Sequence, residues 1–189
     1  MTTRNNDFLP QQGDYRRLRA FQVTTVVYDI TRWFATNCFQ HGDRTIDQMV
    51  QAARSGRQNI AEGSAAGSTS KETEIKLTNV AKASLQELLL DYEDFLRQNE
   101  LNVWDKDHPK AMQTRAFCRT HNDSRDYMER IKQRSPETVA NIAIILIHQA
   151  DVLLERLIER QKADFLARGG MREEMTRARL EARKNNGMR

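Results

Sequence analysis

The chain has 189 residues, 39% of them hydrophobic and 30% charged, with 30 Lys and Arg against 26 Asp and Glu and a net charge of +4. Such a length suits one domain with a tail, and such a balance suits amphipathic helices better than a thick sheet core. The two cysteines, Cys38 and Cys118, stand outside any CxxC pair, which argues against a zinc framework or a disulfide scaffold and suits a reducing cytoplasm.

The N-terminal MTTRNNDFLPQQGD has no apolar core, so no secretory signal is expected. Residues 1–13 are polar, with Pro10 and Gly13 as breakers, and are expected to be disordered. A first helix is predicted over about 14–39, with Leu18, Phe21, Val26, Ile30, Trp33, Phe34 and Asn37 on its apolar face.

A second helix is predicted over 43–62, starting at Asp43 or Thr45, where Thr45 and Gln48 fit a capping box. It is rich in small residues (Ala52, Ala53, Ser55, Gly56, Ala61), which permit close helix approach. Two readings follow: a tightly packed core hairpin, or a helix that also lines a subunit interface. Gly63 is placed as the positive-φ residue after the helix, with Asn59 and Glu62 bonding backbone or a neighbouring helix near that turn. SAAGSTS (64–70) forms the turn. It lacks the GxxxxGK[ST] spacing of a phosphate loop.

A third helix is predicted over 70–99, capped by Thr69 with Glu72. Leu77, Ala81, Ser84, Leu88, Tyr92 and Phe95 form its stripe, widened by Val80, Leu85, Leu89 and Leu96. Glu87, Asp91, Glu93 and Asp94 gather at its C-terminal end, where the helix dipole disfavours them. Residues 100–135 interrupt the pattern with a connector anchored by Trp104 and two short charged helices. His108 and His121 read as solvated loop residues, and no HExxH occurs.

Ser135-Pro136-Glu137 starts a fourth helix, 136–167: an N-cap serine, proline at the first position and an acid in the first turn. Its run IAIILI (142–147) is too short to span a bilayer, and no membrane association is expected. Gly169-Gly170 ends it. The tail that follows carries Arg172, Arg177, Arg179, Arg183, Lys184 and Arg189 against Glu173, Glu174 and Glu181, and is at most a marginal helix. The expected fold is all-α: an antiparallel up-down-up-down four-helix bundle with a charged helical insertion and a basic C-terminal tail.

SGRQNIAEG, the Ser/Thr/Gly turn and VAKASLQELLLDY together resemble the four-helix-bundle protein family. That family includes the 23S ribosomal RNA intervening-sequence proteins and the accessory variability determinants of diversity-generating retroelements. The resemblance covers about Tyr15 to Leu96, more loosely Val139 to Phe165, and rests on Asn59, Ile60, Ala61, Glu62 and Gly63. The insertion and tail are similar to the longer branch with a suffix domain. The resemblance implies a homo-oligomer, a pentamer in the retroelement proteins, that binds a reverse transcriptase and nucleic acid.

Two functions from different classes follow. One is a non-enzymatic protein that binds RNA or DNA through phosphates, using Arg54, Arg57, Lys71, Lys76, Lys82, Arg172, Arg177, Arg179 and Arg183. The other is a protein–protein scaffold whose charge only keeps it soluble. An enzyme is not expected, since no nucleophile, metal set or cofactor loop is spaced to serve one.

Overall fold

The structure, a computed structural model, describes residues 14–169 and 171–186, so the expectation for residues 1–13 lies outside the described residues. The described chain is all-helical. A 3-10 turn at Tyr15–Arg17 precedes α1 (Arg19–Cys38), α2 (Arg44–Ala66), α3 (Lys71–Gln98), α4 (Pro109–Cys118), α5 (Ser124–Ile131), α6 (Pro136–Arg168) and α7 (Met171–Asn186). The first long helix starts at Arg19 rather than Asp14. Asp14 caps only the 3-10 turn, accepting from the Arg16 N–H at 3.1 Å, and Leu18 then breaks the run with extended backbone.

The other starts follow cap chemistry. Asp43 accepts from the Thr45 N–H at 2.8 Å and so takes the cap of α2 from Thr45. Ser70, not Thr69, caps α3 by accepting from the Thr73 N–H at 3.2 Å. Ser135 caps α6 by accepting from the Thr138 N–H, with Pro136 at the first position, as the sequence indicates.

α2 outruns the predicted end by a turn, and this changes the role of Gly63. It is helical, not a positive-φ cap; among the described residues the glycines with positive φ are Gly42 and Gly169. A Cβ on Gly63 would lie 3.2 Å from the Glu74 carbonyl oxygen and 3.3 Å from Leu77 Cβ, so the missing side chain lets α3 approach. Asn59 also sits mid-helix, donating to the Ser55 carbonyl at 2.9 Å and its hydroxyl at 3.1 Å. That hydroxyl shares a 2.9 Å hydrogen bond with Ser84 on α3. Glu62 accepts from the Gln58 amide at 2.7 Å on the outer face. Gly63, Asn59 and Ser55 thus weld α2 to α3 rather than shape a turn.

α1 packs on α2 and α6, and α3 packs on α2 and α6. Phe34 of α1 meets Tyr92 and Phe95 of α3 at ring separations of 5.0 and 4.7 Å, and Phe39 closes the cluster. The predicted stripe of α3 is buried from Ala81 to Leu96, with Leu77 half-buried and Val80 exposed, whereas that of α1 is met only in part. α1 buries the expected Val26, Ile30 and Phe34 together with Ala20, Val23, Val27 and Thr31, leaving Trp33 half-buried and Asn37 exposed. α6 buries Val139, Ala143, Leu146, Ala150, Leu154 and Ile158, with Leu153 and Leu157 partly buried against the core. Threonine accounts for part of the error. Thr24, Thr31 and Thr78 are buried because each hydroxyl donates to its own helix backbone.

The whole of α6 fits the length and composition of a membrane span, although the six-residue run does not; 56% of its most apolar window is buried within the molecule. α4 packs on α6 and α5 on α1. The connector before α4 is clamped by buried Asn141, whose Oδ1 accepts from the Trp104 N–H at 2.7 Å and whose amide donates to the Asn102 carbonyl at 2.9 Å. Both histidines of this region have structural roles, contrary to the sequence reading. His108 caps α4 through Nδ1 and stacks on Trp104 at 5.3 Å. His121 stacks on Phe117 at 3.8 Å.

Candidate nucleic-acid interface

Nucleic-acid affinity needs cations that no internal carboxylate has neutralised. By that test the predicted basic residues separate. Lys71 lies 2.8 Å from the Glu74 carboxylate, one turn along its own helix. Lys82 lies 3.7 Å from both Asp151 and Glu155 of α6, half-buried between helices. Both are ion-paired within the molecule, so a phosphate there competes with these carboxylates. Lys76 is exposed on α3, near the level of Gly63 and about two helical turns beyond Arg57 along the α2–α3 pair.

Arg54 and Arg57 belong to a different environment. The Arg57 guanidinium lies 4.2 Å from the centroid of the Tyr28 ring, and that of Arg32 lies 6.0 Å from the same centroid. Arg54 is exposed one helical turn before Arg57. None of the three arginines has a carboxylate within ion-pair distance among the described residues. Packing of α1 on α2 thus brings Arg57 of α2 and Arg32 of α1 to one half-buried tyrosine. Sequence reasoning missed Tyr28 and Arg32, although their i, i+4 spacing on α1 put them on one face and was the available signal. Cations over an aromatic face keep their outer donors free for an anion.

The tail is helical. Arg177, Arg179 and Arg183 are exposed on α7, while the side chain of Arg172 lies outside the described residues.

Negative charge collects elsewhere. Asp47, Glu87 and Asp91 line a groove of 620 Å³ between α2 and α3, floored by Ala52, Ser55 and Ser84. Burial, then the neighbouring charges of Asp94 and Glu87, hold the Asp91 carboxyl above the usual carboxylate range. This groove repels phosphate. Among the described residues no group of three or more His, Cys, Asp or Glu side chains is arranged to hold a metal ion. Burial pushes the Cys38 thiol up to about 11, so it is not a thiolate at neutral pH.

No family model matches this chain, and no curated protein or solved structure is significantly similar to it.

Proposed function

We propose that this chain is a non-enzymatic, oligomeric helical protein that binds RNA or DNA through phosphates and serves as an accessory to a nucleic-acid enzyme of the reverse-transcriptase type. The observation that carries the reading is the pair Arg32 and Arg57 at the Tyr28 ring, with exposed Arg54 one helical turn before Arg57 and no carboxylate within ion-pair distance of the three among the described residues. Arginine donors free of internal partners suit phosphates, and the exposed part of the ring suits a base or ribose. Exposed Arg177, Arg179 and Arg183 extend the basic surface. Such contacts carry no sequence preference.

The architecture that goes with this reading is an up-down-up-down bundle of α1, α2, α3 and α6, with 100–135 as an insertion. Contacts between α3 and α6 support it. Gln161 donates to Thr78, and Gln86 to Asp151, so later residues of one helix meet earlier residues of the other. We further propose a cytoplasmic homo-oligomer, a pentamer on the resemblance of the α2–α3 sequence. Val80 and Leu90, 39% and 61% exposed on α3, are apolar surface that a subunit contact would cover.

Fluorescence anisotropy with labelled single-stranded RNA and DNA tests the proposal. Arg32→Ala, Arg54→Ala and Arg57→Ala combined is expected to weaken binding at least tenfold with helicity unchanged. An unchanged affinity removes the Tyr28 cluster from the interface. The second reading, a protein–protein scaffold, is favoured by the internal neutralisation of Lys71 and Lys82 and by the exposure of Val80 and Leu90. It predicts no binding even at low salt.

A further inference from the structure

A cleft of 240 Å³ opens between the connector, α4, α5 and the first turns of α6, and shares no residue with the Tyr28 cluster. Its wall carries Lys110, Arg130 and Arg134, and no carboxylate lines it. None of the three cations has an ion-pair partner among the described residues. Cations of one sign gathered without an acid raise the local potential for anions and repel each other until one arrives.

The rest of the wall is aromatic and aliphatic. The Lys110 ammonium lies 5.7 Å from the Trp104 ring centroid, and the Arg130 guanidinium 4.5 Å from that of Phe117. Phe117 is fixed by stacked His121 and by the edge of Tyr127 at 5.2 Å. Asn141 fixes the backbone of Trp104. Ile142 supplies apolar floor. The rings are therefore preorganised, while Lys110 and Arg134 are exposed and free to turn.

We infer that this cleft binds a nucleoside phosphate. The base packs against Trp104 in the place the Lys110 ammonium holds, and the ammonium turns with Arg130 and Arg134 to the phosphate. Cations interleaved with aromatic faces are the pattern by which proteins hold an unstacked nucleotide. The nucleotide can be one residue of a single strand, in which case the inference rests on the nucleic-acid reading, or a free mononucleotide.

The test uses the full chain with Trp33→Phe, which leaves Trp104 as the sole tryptophan. Its emission is followed on titration with AMP, with inorganic phosphate and with a short single-stranded oligoadenylate. AMP is expected to quench Trp104 saturably, and Lys110→Ala or Arg134→Ala to weaken that binding about tenfold each, as expected for removing one charge-assisted hydrogen bond. Inorganic phosphate is expected to compete without quenching. No saturable change with either AMP or the oligonucleotide overturns the inference. If the oligonucleotide binds by anisotropy while Trp104 is unmoved, the cleft inference falls and the nucleic-acid reading survives. If AMP quenches and the oligonucleotide does not bind, the cleft is a free-nucleotide site and the nucleic-acid reading falls.

Discussion

The Tyr92 hydroxyl of α3 donates to Thr31 Oγ1 of α1 at 3.0 Å, and both residues are fully buried. Thr31 in turn donates to the Val27 carbonyl at 2.7 Å, so each hydroxyl in the middle of the core has a partner. Burial holds the Tyr92 phenol well above the usual range, so it stays a neutral donor. Tyr92→Phe keeps the ring against Phe34 and removes the one bond. The expected cost is about 1 kcal/mol in urea denaturation. Tyr92→Ala removes the ring as well and is expected to cost about 3–5 kcal/mol. An unchanged midpoint for Tyr92→Phe would mean the bond contributes nothing net.

Gly56 sets the closeness of α2 and α3. A Cβ there would lie 2.8 Å from Leu85 Cδ2 and 3.0 Å from its Cγ, so the fully buried Leu85 side chain would have to shift. Overpacking costs about 1–3 kcal/mol, while replacing glycine by alanine in a helix returns about 1 kcal/mol. Gly56→Ala is therefore expected to cost about 0–2 kcal/mol, and Gly56→Val, which adds two further methyl groups, at least about 2 kcal/mol. A melting temperature for Gly56→Val equal to that of the parent would mean the helices lie further apart.

Asp91 gives a pH dependence of defined sign. Its folded-state carboxyl is raised by burial and by Asp94 and Glu87, so the folded chain holds the proton to higher pH than the unfolded chain does. Stability from this group is full below the ordinary carboxyl range, near about 4, and is lost as pH rises through the raised value. Asp91→Asn is expected to raise the melting temperature at about pH 7, with the gain shrinking toward zero near about pH 3. A gain that persists in acid would implicate something other than ionisation.

Local chemistry made part of this legible from sequence. Ser135-Pro136 starts α6 because cap and proline act within one turn, and Leu88, Tyr92 and Phe95 are buried because their spacing follows the helix. What needed the tertiary register was not legible. Gly63 read as a cap because glycine serves close approach and positive φ alike, and only the position of Leu77 and Glu74 distinguishes them. Lys82 read as a surface cation because Asp151 and Glu155 reach it from a helix far along the chain. The Arg57–Tyr28 stack depends on α1 meeting α2, and the cleft on connector residues meeting α5 and α6.

On the proposed reading the tail is expected to make a separable contribution. Arg177, Arg179 and Arg183 are exposed on α7. Replacing all three with Ala is expected to reduce the salt dependence of nucleic-acid binding by about two units of log–log slope, at ~0.7 for each single-strand phosphate that an arginine neutralises. Circular dichroism and light scattering should show the same helicity and oligomer mass. A slope equal to the parent's would exclude the tail from the interface.

The central claim is that phosphates are the ligand, and the salt series on the unmodified chain tests it most directly. Binding of a single-stranded RNA is measured by anisotropy between about 50 and 200 mM salt. If about three to five phosphates are engaged, log Kd rises with log salt at a slope of about 2 to 4, and affinity falls more than about tenfold across that range. Affinity that does not change with salt, or no binding at the lowest salt, contradicts the claim and favours the protein scaffold.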